Sequence, residues 1–426
     1  MGRHPNRHPG IFSPGLGSPE TVSPRRYNAR GGFVMKPIDL DQNATTSLSP
    51  EVLEAMRPYW SAGGNPESRH TLGRAARRAW DQAKDTVAHI LNADPAEVVF
   101  TGGGTEANNL AVFGLARPHD GPGHVVASPI EHPAVAETVA HLETLGFGVD
   151  RPPVHSDGLA DPQTMAAALR ADTRLATLIL AHNEFGAIEP VARLAELAAE
   201  RDVPVHTDAV QAVGRIPVDF RALGVATLAA SAHKFHGPAG VGVLLVRKDI
   251  QLAPWLFGGG QQRGRRPGTP PVALAVGLAR ALESWHAEAS ARITRWRALR
   301  DRLEQGLRTA LGIERVIRTG PSDESLRLPQ TLHVGFPGLD GDALLMQFDL
   351  VGVACSLGSA CASGTTRPSP SLLALGVPAD RLRSSVRFSL GATTTEADID
   401  EALGRIVPVV ERVSAMNVAE PETMLA

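Results

Sequence analysis

The amino-acid sequence predicts an α/β fold with a mostly parallel sheet, followed by a smaller α+β portion, and two patterns carry that expectation. Short apolar runs of strand character, EVVF (97–100), HVVASP, ATLILA, PVHTDA and TLAASA, recur with helical segments such as TMAAALRA and VARLAELAAE between most of them. Parallel neighbours need such crossovers, because each connection has to travel back along the sheet before the next strand begins. A long helical stretch through 272–309 then leads to a second set, QTLHVGF, GDALLMQF and SVRFSLG, which reads as the smaller α+β portion. No internal repeat is evident.

Residues 1–34 are rich in Pro, Gly and Arg, with Glu20 the only acidic residue before Asp39. They contain no apolar core of signal-peptide type, and their prolines oppose an amphipathic presequence helix. They read as a disordered basic extension, or as a start placed upstream of Met35. Turn-rich LDQNATTSLSP follows, then EVLEAMRPYW with a helical apolar rhythm, a Gly-Asn-Pro turn at 64–66 and the helix TLGRAARRAWDQAKDTVAHIL. After the EVVF strand, TGGGTEANNLAVFGLA reads as a glycine turn feeding a helix. A chain of 426 residues is long enough for two domains. The expected division is a large domain over 50–290 and a small one over 35–49 and 291–426, the latter carrying a cysteine loop near 355–370.

Lys and Arg number 42 against 45 Asp and Glu, and this near balance supplies no global field for nucleic acid or an anionic membrane surface. No apolar run approaches the roughly 18–20 residues of a membrane span. Two cysteines exclude a disulfide framework and fit a reducing, cytoplasmic compartment. Those two, Cys355 and Cys361, lie six positions apart in VACSLGSACASG. Spacing alone leaves a disulfide and a nucleophile open, while a zinc site lacks a nearby CxxC or histidine pair, so no metal is expected.

Three segments carry cofactor chemistry. The turn TGGGT (101–105) opens a helix after a strand, so backbone N–H groups at Gly104 and the Thr105 hydroxyl are candidates to hold a phosphate. Asp208, ending the run VHTD, is either a helix cap or a carboxylate that keeps a heteroaromatic nitrogen protonated. Lys234, in SAHKFHG, is either a surface lysine in a turn or an amine whose apolar, partly cationic setting makes it a nucleophile toward an aldehyde. Phosphate, ring nitrogen and aldehyde together point to pyridoxal phosphate.

With these residues in place, the sequence resembles the cysteine desulfurase family, class V aminotransferase relatives of fold type I, through LDQNATT, FTGGGTEANNLAV, HNEFGAIEP, HTDAVQAVG, SAHKFHGPAGVGVL, RGRRPGT, GSACASG and SVRFSLG. The resemblance implies a seven-stranded, mostly parallel sheet in the large domain. It also implies that Lys234 attaches the cofactor, that Asp208 partners its ring nitrogen and Gln211 its phenolic oxygen, and that His132 stacks on the ring and handles protons. Thr105, Ser231 and His233 match phosphate contacts, Thr269 a contact made across a homodimer interface, Asn183 a residue near both the cofactor oxygen and the substrate carboxylate, and Arg387 the arginine that binds that carboxylate. Cys361 matches the catalytic cysteine on the loop, which leaves Cys355 as a small buried residue at the end of a strand DLVGVAC.

The implied reaction converts L-cysteine to L-alanine, leaving the sulfur on Cys361 as a persulfide for an acceptor protein or iron–sulfur scaffold. A selenocysteine lyase or related pyridoxal-phosphate lyase or transferase, and a catalytically weak sulfur-handling subunit, are the competing readings. His182, Phe185, Ala239, Gln262, Pro270, Pro271, Leu357 and Arg367 depart from the family pattern. They are expected to cluster near the mouth of the site and the loop.

Overall fold

The computed structural model describes residues 36–117, 121–357 and 368–418. In chain order, β1 (Ile38–Asp39) precedes α1 (Pro50–Ser61) and α2 (Thr71–Ile90), then β2 (Val98–Thr101), α3 (Gly104–Ala116), β3 (His124–Ala127), α4 (Pro133–Thr144) and β4 (Gly148–Asp150). Next come α5 (Pro162–Ala167), β5 (Thr173–Thr177), α6 (Val191–Ala199), β6 (Val205–Asp208), α7 (Phe220–Leu223), β7 (Thr227–Ser231) and β8 (Gly242–Val246). The helix expected over 272–309 is α8 (Val272–Leu311), and it ends at Gly312 with φ +95°. Beyond it lie β9 (Ile317–Arg318), β10 (Thr331–Gly335), α9 (Gly341–Leu350), β11 (Val353–Ala354), β12 (Ser356–Leu357), α10 (Pro370–Ala374), α11 (Ala379–Leu382), β13 (Ser385–Ser389) and α12 (Glu396–Val418).

Seven strands form one sheet in the order β2-β8-β7-β6-β5-β3-β4. Four of its six pairings are parallel, and β8 alone runs against both of its neighbours. The residues of β2, β3, β6, β7 and β8 are all buried, as expected of strands covered on both faces. The expected α/β architecture is therefore present, with its sheet mostly parallel. A four-stranded antiparallel sheet, β12-β13-β10-β9, and the parallel pair β1-β11 make up the remainder. Of DLVGVAC only Val353–Ala354 is strand, because Asp349 and Leu350 complete α9.

Parallel sheets bind ligands beyond the carboxyl ends of their strands, where helix N-termini converge. Here β6 ends on Asp208 and β7 on Ser231, and α3 begins at Gly104 beside them. A Cβ on Gly104 would stand 2.7 Å from Val210 Cγ2 and 3.4 Å from Ser231 Cβ, so only glycine lets the helix start this close to the strand exits. No helix among the described residues is long and apolar enough to cross a membrane.

Candidate active site

Asp208 is 3% exposed at the end of β6. Its Oδ2 accepts from Asn108 Nδ2 at 2.6 Å and its Oδ1 from the Val210 N–H at 2.9 Å. The second bond is the turn-capping role open to this residue on sequence grounds, and it leaves further lone pairs on both oxygens. Lys234 closes the short 3-10 turn Ala232–Lys234 that follows β7, and its Nζ donates to the carbonyls of Asn43 and Ala44, each at 2.8 Å. Gln211 Nε2 donates to the same Asn43 carbonyl at 3.0 Å. One backbone oxygen thus joins the lysine and the glutamine.

Asn43 is the hub that sequence reasoning missed. Besides its carbonyl, its Nδ2 donates to Thr331 Oγ1 at 2.9 Å and to the Asn183 carbonyl at 3.2 Å, and its N–H donates to Ser389 Oγ at 2.9 Å. It is 1% exposed, so these bonds replace water that its polar atoms have lost. The segment LDQNATT is visible in the sequence as a motif, but nothing local shows that its Asn reaches residues 140 to 346 positions away.

His132 caps a helix and borders a cleft. Its Nδ1 accepts the Ala134 N–H at 3.1 Å and caps α4, which turns Nε2 into the free proton-carrying position of the neutral ring. Burial lowers its pKa, the Asp208 charge opposes that shift and Lys234 adds to it, so the ring feels both groups. Next to it, burial followed by the Asp208 charge holds Glu131 well above the usual carboxylate range. Glu131 accepts from Thr177 Oγ1 at 3.0 Å. An open cleft of about 450 Å³ runs outward from Thr105 and His132 and is walled by Phe113 stacked on Trp255.

At the other end, Arg387 lies 4% exposed on β13. Its Nη2 meets Asp41 Oδ1 at 2.6 Å and its Nη1 donates to the Asn183 carbonyl at 3.0 Å, while its Nε is buried without a partner. One guanidinium is thus held by an ion pair and a backbone carbonyl, with its Nε left over. Asp41 is a second residue that sequence reasoning left unassigned. Behind Arg387, His182 stacks on Phe185 with ring centroids 3.7 Å apart, and its Nε2 lies 3.0 Å from Ser371 Oγ. Gly158, at φ +89°, makes room for Phe185, since a Cβ there would lie 2.4 Å from the ring. Both aromatics are buried, so these departures from the family pattern sit behind the site and not at its mouth, whereas Ala239 is exposed.

His233 Nδ1 lies 3.1 Å from Thr45 Oγ1, and burial, then Lys234, push its pKa down to about 4. Ser231 is buried beside Gly104, and Thr105 is exposed in the first turn of α3. Thr269 is exposed on the segment leading into α8 and takes no part in the bonds just described. Gln262 of that region brackets edge strand β2, accepting from the Phe100 N–H and donating to its carbonyl, both at 2.8 Å. A glutamate could only accept, which accounts for the amide at this position. Cys361 and Arg367 lie outside the described residues. Cys355 is buried, and desolvation followed by Asp41 raises its thiol far above the ordinary range.

These residues fit pyridoxal phosphate. Gln211 Oε1 is buried and unpartnered, an acceptor left over for the hydrogen of a ring hydroxyl. Helix α3 starts at N-cap Gly103 without a side-chain cap, so no capping side chain competes with a phosphate for its first N–H groups.

Residues 38–402 match the family Aminotransferase class-V. An IscS-like cysteine desulfurase of Mycobacterium tuberculosis is 43% identical over 382 residues, covering 88% of this chain and 96% of that protein. Among solved structures, a NifS-like protein superposes with a TM-score of 0.82 at 33% identity, over 88% of this chain and 100% of its own. SspA in complex with cysteine gives a TM-score of 0.72 at 34% identity, over 84% of this chain and 99% of its own.

Proposed function

The chain belongs to the class-V aminotransferases and, within them, to the cysteine desulfurases, and on that premise we propose which residues carry each part of the reaction. The enzyme depends on pyridoxal phosphate and converts L-cysteine to L-alanine with formation of a persulfide. When bound, the cofactor supplies an electron sink for bond breaking at the substrate carbons.

Lys234 attaches the cofactor and, once released by substrate, takes the Cα proton on Nζ. Its two carbonyl partners, Asn43 and Ala44, supply the acceptors that hold the amine in place. Asp208 faces the ring nitrogen, Gln211 the ring oxygen, and Gly104, Thr105, Ser231 and His233 surround the phosphate. His132 moves a proton at Nε2. Arg387, steadied by Asn183, binds the substrate carboxylate through its planar fork, where Lys could offer only a point charge. Cys361 thiolate then forms an S–S bond to the substrate sulfur as the Cβ–S bond breaks. The electron pair stays with the carbon skeleton, which takes up two protons, one at Cβ and one returned to Cα, and leaves as alanine.

The observation that carries this reading is the Asn43 carbonyl shared by Lys234 and Gln211. Borohydride reduction of the holoenzyme should fix the cofactor on the peptide carrying Lys234. Label on another lysine, or on none, overturns the assignment.

The same reading includes a homodimer in which Thr269 reaches the partner's site. It is supported by the exposed apolar run Trp255, Leu256 and Phe257, the last 86% exposed. Sedimentation of a fully active monomer would contradict it. A persulfide is a portable product, so a sulfur-acceptor protein such as an iron–sulfur scaffold is the proposed partner, in the cytoplasm.

A further inference from the structure

Behind Asp208 lies a chain of neutral polar groups that the reaction scheme does not use. Asn108, on the second turn of α3, is 1% exposed, and His206 on β6 and Thr227 on β7 are both 0% exposed. Asn108 Nδ2 donates to Asp208 Oδ2 at 2.6 Å, His206 Nε2 stands 3.1 Å from Asn108 Oδ1, and His206 Nδ1 stands 2.9 Å from Thr227 Oγ1.

The polarity of this chain follows from its first member. A carboxylate has no hydrogen to give, so Asn108 must turn its NH2 toward Asp208 and its oxygen toward His206. That oxygen can only accept, so the His206 proton sits on Nε2. Bare Nδ1 then accepts the Thr227 hydroxyl. Burial keeps the imidazole neutral, with its pKa pushed down to about 3, and a neutral ring is what this pattern requires. All three elements that meet here, α3, β6 and β7, also end or begin at the site, so the chain ties the carboxylate to each of them.

We propose that Asn108, His206 and Thr227 are positioning residues that fix the Asp208 carboxylate in rotation and keep it a pure acceptor toward the cofactor's ring nitrogen. The inference rests on Asp208 being the ring-nitrogen partner. Without the Asn108 amide, one buried carboxylate oxygen loses its donor and the carboxylate is free to turn, which weakens its claim on the ring N–H.

A purely structural role would satisfy buried polar atoms and nothing more, so the test reads the ring nitrogen itself. Holoenzyme loaded with ring-15N-labelled pyridoxal phosphate is compared by NMR among the unaltered protein, Asn108→Leu, His206→Leu, His206→Gln and Asp208→Asn. The unaltered protein should show a protonated ring nitrogen. Asn108→Leu and His206→Leu should move its shift toward that of a neutral pyridine and weaken cofactor retention about tenfold, the effect of one bond to a charged group. His206→Gln, whose amide can donate to Asn108 and accept from Thr227, should restore both. Near-isosteric Thr227→Val removes only the last hydroxyl, so if the leucine variants fail to fold it should still give a smaller shift in the same direction. An unchanged 15N shift in the folded Asn108, His206→Leu and Thr227 variants overturns the proposal if Asp208→Asn shifts it. An unchanged shift in Asp208→Asn overturns the Asp208 reading itself.

Discussion

The two ends of the site are built on opposite principles. Around Asp208 both carboxylate oxygens have protein donors, and the groups behind them are neutral and hydrogen-bonded in sequence. Around Arg387 the structure holds charge and unmet capacity: Arg387 Nε and both ring nitrogens of His333 are buried without partners. His333 stands directly across the β10–β13 pairing from Arg387, and burial, then Arg387, push its pKa down to about 3. The difference teaches which end is finished before ligand arrives. A resident cofactor's electronics demand a fixed partner, whereas a substrate that comes and goes needs groups left open for it.

Replacing Lys234 by Ala breaks the comparison outright, since it removes the group between the two ends. Turnover of L-cysteine should fall by about 10³-fold or more, and borohydride should leave no label on the remaining lysines. A smaller effect separates the ends: Arg387→Leu should raise KM for cysteine by about a hundredfold, the scale expected when a buried charged partner is lost, while the absorption band of the bound cofactor stays unchanged. A shifted band in that variant would mean the two ends are not independent.

Much of the proposed cofactor end is legible from sequence because Asp208, Gln211 and Lys234 sit in short motifs at strand exits, and the α/β alternation shows where strand exits fall. The rest was hidden for a physical reason. Asn43, Asp41 and Asn108 act through contacts made only when distant elements meet, such as the 346 positions between Asp41 and Arg387. The reversed strand β8 was equally hidden, since GVLLV is as apolar as its parallel neighbours. His182 and Phe185 stood out as departures, but their stacking behind Arg387 depended on Gly158, which the sequence does not connect to them.

That aromatic wall yields the next test. Phe185→Ala should cost about 3 kcal/mol of stability in denaturant unfolding, as large-to-small changes in packed cores do, with the loss falling behind the substrate end.

The mildest effect concerns pH. Burial raises Glu184, bonded to Ser369 Oγ at 2.7 Å, to about 7, and raises Glu189, bonded to the Ala160 N–H at 2.8 Å, to about 8. Both hold a proton in the folded chain over a range where the unfolded chain has lost it. Their contribution is complete below the ordinary glutamate pKa of about 4.3 and is lost as pH rises through the folded values. Glu184→Gln and Glu189→Gln should each flatten the decline in melting temperature between about pH 5 and 8. An unchanged slope would mean these carboxyls ionise in place.

The central claim is that cysteine sulfur moves to Cys361 and not to the buried Cys355, whose thiol desolvation keeps protonated. Mass spectrometry of the holoenzyme after incubation with L-cysteine tests it most directly. The account predicts an added sulfur, about 32 Da, on the peptide carrying Cys361. It also predicts that Cys361→Ala loses alanine production while keeping the cofactor on Lys234. Sulfur found on Cys355, or alanine formation that persists in Cys361→Ala, would contradict it.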